Sequence, residues 1–366
     1  MRMLRMYAFF LIPLSSIGIC ASCNPNEGSN GELVDYHISD SLGACADTPK
    51  LVDGFALALA DHLGLDLKGK VDYYWMDGAE YATTSCDPGT VGCQIGDQVY
   101  ARNPNLLHEV VHAITEQGGM NNLPFFTEGL AVAYDPWYGR GSGPRFRFKP
   151  LPGDVESDPR KSITRPASEI SYDLAGSFVS FLLLRHGPEK FVALTRGLTA
   201  DVDYLVISRA FEDIYKTELD YEVEVFMANN YCNEEFTELL VYDCLGPEVD
   251  WEASGWAWQT SMECTAEGVA GGIADPEMAS ITQRSVSLKV PAPGEYELAV
   301  RSSGTGAVTT TIGRCFGCPW HPNDIVTEGS DTSSVTLAAG LYFVRLTASS
   351  PEMAQVEIKL TPNAGE

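Results

Sequence analysis

The chain has 366 residues and carries 24 Lys and Arg against 50 Asp and Glu, a formal charge of −26. Hydrophobic residues make up 45% and charged residues 20%, the balance of a folded chain rather than a disordered one. The acidity argues against nucleic acid as a partner and against charge-driven docking on anionic lipid, and the length suggests two domains or three.

Residues 1–22 read as an export signal. Arg2 and Arg5 give a positive start, and Tyr7–Ile19 is an apolar run. That run is short for a membrane span, and Pro13 interrupts it. No later stretch reaches the roughly 18 apolar residues a spanning helix needs, so no transmembrane helix is expected after the signal. Cys20-Ala21-Ser22-Cys23 resembles the bacterial lipobox. The resemblance implies a lipid anchor at Cys23, at an outer membrane or cell surface. Cys20 stands where that motif usually has an aliphatic residue, so plain cleavage near Ser22 and secretion is the alternative.

The chain has 10 cysteines. Setting aside Cys20 and Cys23 leaves an even number, which in an exported chain suggests disulfides. About a hundred pairings are open to them. Short loops favour Cys86–Cys93 and Cys232–Cys244. Cys315-Phe316-Gly317-Cys318, with His321 nearby, has the spacing of half a metal knuckle. No second ligand pair follows it, which favours a tight-turn disulfide or two bridges elsewhere.

Residues 23–48 read as a tether passing into irregular structure. Leu51–Leu63 carries a helical stripe of apolar residues. Val71–Met76 and Gln94–Ala101 read as strands, with a turn at Ser85–Thr90 between them. Pro104 is expected to open a helix running to about Glu116 and ending at Gly118-Gly119. Phe125–Tyr134 reads as a second helix, and residues 135–166 as a long polar loop. Helical patterns follow over about 168–186, 188–197 and 203–228. Residues 246–284 read as a linker. From Ser285 the pattern alternates in short β-rich runs such as SVSLKV, YELAV and LYFVRL, which indicates a sandwich or barrel over 285–362.

His108-Glu109-Val110-Val111-His112 is an HExxH motif on the helix expected there. Four residues advance a helix by about 400°, so both imidazoles leave the same face one turn apart. They can then reach one Zn²⁺ at about 2.0–2.1 Å. Leu106, Leu107, Val110, Val111 and Ile114 surround the motif, and polar groups buried among them need partners. Glu109 lies beside such a metal and can accept a proton from water and return it to a leaving amine. A catalytic zinc needs a third protein ligand, and Glu128, early in the next apolar helix, is the candidate. The bland alternative is that Glu128 is an acid favoured in a first helical turn.

The run His108–Thr115 followed by Thr127-Glu128-Gly129-Leu130-Ala131-Val132-Ala133-Tyr134 resembles the gluzincin metallopeptidases, the thermolysin and aminopeptidase superfamily. The resemblance covers about residues 50–230. It implies an α+β, zincin-like catalytic domain over 49–245, with one zinc on His108, His112 and Glu128 and with Glu109 as general base and acid. It further implies that the strand before the metal helix edges the cleft, where an extended substrate can pair with it. Such enzymes use a Tyr or His against the developing oxyanion. Tyr172, ahead of Ala175-Gly176, is the candidate, with Tyr134 and His186 behind it. A packing role for Tyr172 is equally open. Glu116 and Asp135 are possible carboxylate supports for a ligand histidine. The tail resembles the β-sandwich that follows bacterial secreted peptidases, the pre-peptidase C-terminal type. That rests on Pro293-Gly294-Glu295-Tyr296-Glu297-Leu298 and on Leu337–Val344.

The expected function is an exported zinc peptidase, an endopeptidase since no amine-anchoring motif stands out, acting on a peptide or protein. The alternative is a catalytically silent binding lipoprotein that keeps the fold.

Overall fold

The computed structural model describes residues 29–120, 123–135, 158–199, 202–228, 241–252, 254–273, 281–303, 308–315, 325–328, 331–348 and 355–363. The export signal, the lipobox with Cys23, residues 136–157, Cys232, Cys318 and His321 lie outside them. The fold is α+β.

The first half runs β1 (Ser29–Asn30), β2 (Val34–Ile38), β3 (Gly43–Ala44), α1 (Thr48–Leu63), β4 (Val71–Trp75), α2 (Gly78–Tyr81), β5 (Gly92–Ile95) and β6 (Gln98–Ala101). Six helices follow: α3 (Leu107–Gln117), α4 (Pro124–Tyr134), α5 (Tyr172–His186), α6 (Pro188–Gly197), α7 (Tyr204–Tyr215) and α8 (Leu219–Met227). One sheet has the order β1-β2-β4-β6-β5. Its inner pairs are parallel and its outer pairs antiparallel. The alternation in β4 explains its place. Val71, Tyr73 and Trp75 are buried, while Asp72 and Tyr74 are only half-buried. Helix α1 buries Val52, Phe55, Ala56, Leu59, Ala60 and Leu63, the stripe the sequence displays. It ends at Gly64, whose φ of 61° terminates the helix in the left-handed region.

Two expected elements are divided. Gln94–Ala101 is a hairpin rather than one strand, because Gly96 (φ 63°) turns the chain between β5 and β6. The single helix expected over 203–228 is α7 and α8. Lys216 (φ 62°) caps α7 and breaks the run, the one non-glycine residue at positive φ among those described.

The second half is a β-sandwich. Its strands are β7 (Trp256–Ser261), β8 (Ala270–Ile273), β9 (Ile281–Val290), β10 (Gly294–Ser303) and β11 (Val308–Arg314), then β12 (Ile325–Glu328), β13 (Asp331–Leu337), β14 (Gly340–Ala348) and β15 (Gln355–Pro362). One sheet runs β13-β10-β15-β7 and the other β12-β11-β14-β9-β8-β3. Trp256, Leu288, Leu298, Val344, Ile358 and Leu360 fill the space between them.

These sheets correct the expected boundaries. The stretch 246–284 is no linker, since β7 and β8 are sandwich strands. The stretch 23–48 is no tether from Ser29 onward. Its β2 lies in the first sheet, and its β3 pairs with β8 at the sandwich edge. The two halves are therefore laced together. Thr48 Oγ1, at the head of α1, donates to Gly271 O at 2.6 Å and accepts from Gly271 N at 2.9 Å. Cys45 bonds Cys264. Gly272 leaves room for Trp75, since a Cβ there would fall 2.3 Å from its ring.

Cys86–Cys93 forms as the short loop suggests. Cys244 pairs with Cys315 rather than with Cys232, which also removes Cys315 from any metal knuckle. Disulfides of this kind belong to an extracellular or periplasmic protein. No helix among the described residues is long and apolar enough to cross a membrane.

Cys45–Cys264 spans 219 residues, so its loss should release a large loop in the unfolded chain. The double variant C45S/C264S is expected to lose about 2–5 kcal/mol in denaturant unfolding. An unchanged midpoint would show that the junction does not depend on this bridge.

Candidate metal centre

Helix α3 is aimed from the sheet. Tyr36 OH donates to Pro104 O at 2.5 Å, and Tyr73 OH donates to Asn103 O at 2.6 Å. Leu106 N then donates to Tyr73 OH at 2.8 Å. The two rings stack 4.9 Å apart. Residues 103–106 are thereby held out of helical form, and α3 starts at Leu107, later than Pro104. Leu106, the N-cap residue, offers no side-chain cap. Asp135 supplies one from the far end of α4, accepting from His108 N at 2.9 Å. Gly118 and Gly119 (φ 76°) close the helix where expected.

His108 and His112 leave α3 on one face, with ring centroids 4.9 Å apart. Glu128 of α4 meets both. Its Oε2 lies 3.1 Å from His108 Nε2 and 3.3 Å from His112 Nε2, and the two nitrogens are 3.3 Å apart. These three atoms form a nearly equilateral triangle. A tetrahedral zinc with bonds of about 2.0–2.1 Å has ligand-to-ligand edges of roughly 3.3–3.4 Å. The donor set, two imidazoles and a carboxylate, also suits zinc. The residues present therefore fit a metal ion.

The electrostatics agree. Burial opposes the ionised form of Glu128, yet the hydrogen bonds and charges of His108 and His112 hold its carboxyl well below the ordinary range. Burial likewise opposes a charged His112, but Glu128, then Glu109 and Glu116, outweigh it and raise its pKa. Glu128 is thus an ionised carboxylate that draws positive charge toward it.

Glu109 is 7% exposed and opens onto the same cleft. Burial is the main cause that pushes its pKa up to about 7. The charges of Glu128 and Asp135 add to the rise, and His112 opposes it. Its carboxylate makes no hydrogen bond to the described residues. Such a group is placed to take and give a proton.

The cleft has a volume of about 540 Å³. One wall is β5, an edge strand of the first sheet, through Gly92, Cys93 and Gln94. Gly92 permits this approach, because a Cβ there would fall 2.2 Å from Leu106 and 3.2 Å from Glu109 Cγ. The Cys86–Cys93 bridge fixes the turn that leads into the strand. Tyr172, at the first turn of α5, also lines the cleft. Its ring lies 6.1 Å from that of His108.

All five expected site residues therefore meet in one cleft. The lesser oxyanion candidates do not join them. Tyr134 is buried against His62, and His186 faces Glu222 at the far end of α5. Of the two possible carboxylate supports, Asp135 meets His108 through its backbone, whereas Glu116 faces the cleft. Gly92, Gln94 and Thr115, which are not among the expected site residues, also line it. A glycine opening the strand after Cys86 is the signal for the first. Nothing local marks the other two.

No protein-family model matches the sequence, and no curated protein matches it either. Some solved structures are similar to it over about a third of its length. One is the pre-peptidase C-terminal domain of a Bacillus anthracis collagenase, 7% identical, over 32% of this chain and 94% of that one, with a TM-score of 0.21. A second is a Salmonella Typhimurium periplasmic inhibitor of g-type lysozyme, 16% identical, over 32% and 99%, TM-score 0.20. A third is a carbohydrate-binding module of Cellvibrio mixtus lichenase 5A in complex with cellotriose, 18% identical, over 29% and 87%, TM-score 0.19. Likeness of this degree carries no functional argument.

Gly129, beside Glu128, sits where a Cβ would fall 2.6 Å from Ala175 O of α5. G129A is expected to push α4 from α5, costing about 1–3 kcal/mol and spreading the three candidate ligand atoms, so that added zinc is held less well than by wild type. Unfolding curves and a zinc titration measure both, and a variant equal to wild type in each would separate the helix contact from the centre.

Proposed function

We propose that this protein is a zinc-dependent peptidase, an endopeptidase of the gluzincin type. The single observation that carries the reading is the triangle of ligand atoms on His108, His112 and Glu128 with a desolvated, unbonded Glu109 beside it. A metal site without catalysis has no use for that fourth residue, which distinguishes this reading from a silent binding protein.

Zinc bound by His108, His112 and Glu128 would polarise the scissile carbonyl and lower the pKa of a water molecule. The chain's own residues supply the rest. The open edge of β5 offers backbone groups to an extended peptide and aligns it along the cleft. Glu109 accepts a proton as water attacks the carbonyl carbon. Tyr172 OH donates a hydrogen bond to the oxygen on which charge develops. Glu109 then returns the proton to the amide nitrogen as the C–N bond breaks. The products are a carboxylate and a protonated amine, the second proton of the water passing from the new carboxyl group to the amine. A lipid anchor at Cys23 would hold this activity at a cell surface.

E109Q keeps the size of the side chain and removes its basicity. The variant is expected to bind zinc as wild type does and to lose at least about a hundredfold in hydrolysis of a casein or mixed-peptide substrate. Full activity in E109Q would contradict the mechanism.

A further inference from the structure

Helix α3 does not stop contributing to the cleft at His112. Glu116 lies one turn further on, about 6 Å along the axis, and faces the same space. It is exposed, so solvent and a bound chain can both reach it. It is also held in place. Gln94 Nε2, on the edge strand β5, donates to Glu116 Oε2 at 2.7 Å. The other oxygen, Oε1, makes no hydrogen bond to the described residues. Its charge is felt at the centre, where it adds to the upward shift of His112.

The charges around the cleft are one-sided. Three glutamates line it among the described residues, Glu109, Glu116 and Glu128, and no lysine or arginine does. A divalent cation on the triad would offset Glu128 and Glu109. Glu116 is then the charge left over. It lines the cleft one turn from His112 and is hydrogen-bonded to the strand along which a peptide would lie. In an extended strand, side chains on one face recur about every 6.6–6.8 Å, close to the step from His112 to Glu116. A residue two along from one placed over the centre would thus bring its side chain to Glu116.

From this geometry we infer that Glu116, positioned by Gln94, is a specificity-determining residue that receives a cationic group of the substrate. The inference rests on the peptidase reading and names its substrate class. A lysine or arginine side chain and a free peptide α-amine share the required chemistry. The chain's charge of −26 favours the approach of such substrates as well.

The test uses zinc-loaded E109Q protein, so that peptide is held without being cut, and calorimetry reads binding directly. The probes are N-acetylated alanine-rich peptides with one central lysine or one central acetyl-lysine, and the acetyl-lysine peptide with its N-terminus free. The lysine peptide is expected to bind about threefold to tenfold more tightly than its acetyl-lysine counterpart. E109Q/E116Q should lose that preference while keeping its zinc. Tighter binding only of the free-amine peptide, abolished by E116Q, assigns Glu116 to the α-amine instead and supports the cationic site. Equal binding of all three, or a preference that survives E116Q, overturns the inference and leaves the peptidase reading intact. No binding of any peptide to zinc-loaded protein overturns the peptidase reading itself.

Discussion

Three ligand atoms within 3.3 Å of one another, one of them an ionised carboxylate, form a cluster that cannot stand without compensation. Two imidazole nitrogens facing each other across that distance must share a proton or a cation with Glu128. Much of the first half serves to keep these atoms converged. The close approach of α4 to α5 at Gly129 places Glu128, the tyrosine pair of β2 and β4 sets where α3 begins, and Asp135 caps its first turn. The convergence is thus built into the scaffold, as preorganised metal sites require.

The sandwich is part of the same body. Strand β3 belongs by sequence to the first half and by pairing to the second, and α1 begins immediately after it. A disulfide, a pair of hydrogen bonds to Gly271 and the packing of Trp75 under Gly272 meet at this place. A second tie lies at 242–243, where Tyr242 packs on Phe55 of α1 and the Asp243 carboxylate pairs with Arg345 and Ser285 of the sandwich. The second half therefore stands in a fixed relation to the cleft-bearing half.

What the sequence discloses is what short-range periodicity encodes. The HExxH pair lies within one helix, so its spacing alone predicts which way the ligands point. Glu128 is one element further and is legible because a carboxylate in an apolar turn needs a reason. The stripe on α1 and the alternating runs from Ser285 onward are equally local. Tertiary pairing is not. Nothing near Cys45 points to Cys264, 219 residues away, and loop length alone favours a nearer partner for Cys244 than Cys315. Helix α3 starts at Leu107 and not at Pro104 because Tyr36 and Tyr73, on distant strands, capture the backbone there. Strand β7 alternates clearly as Trp256-Ala257-Trp258-Gln259-Thr260, with buried and exposed positions in turn. Its place in a sheet is hidden from the local pattern because its partner, β15, comes about a hundred residues later.

We propose that His108, His112 and Glu128 together hold one divalent metal ion. Metal analysis of the purified full chain, native beside E128A, tests it most directly. The expected result is about one zinc per native chain, with two nitrogen ligands and a carboxylate in its absorption spectrum, and a large loss in the variant. A native chain that takes up no zinc after reconstitution, or a variant that holds it as firmly, would contradict the account.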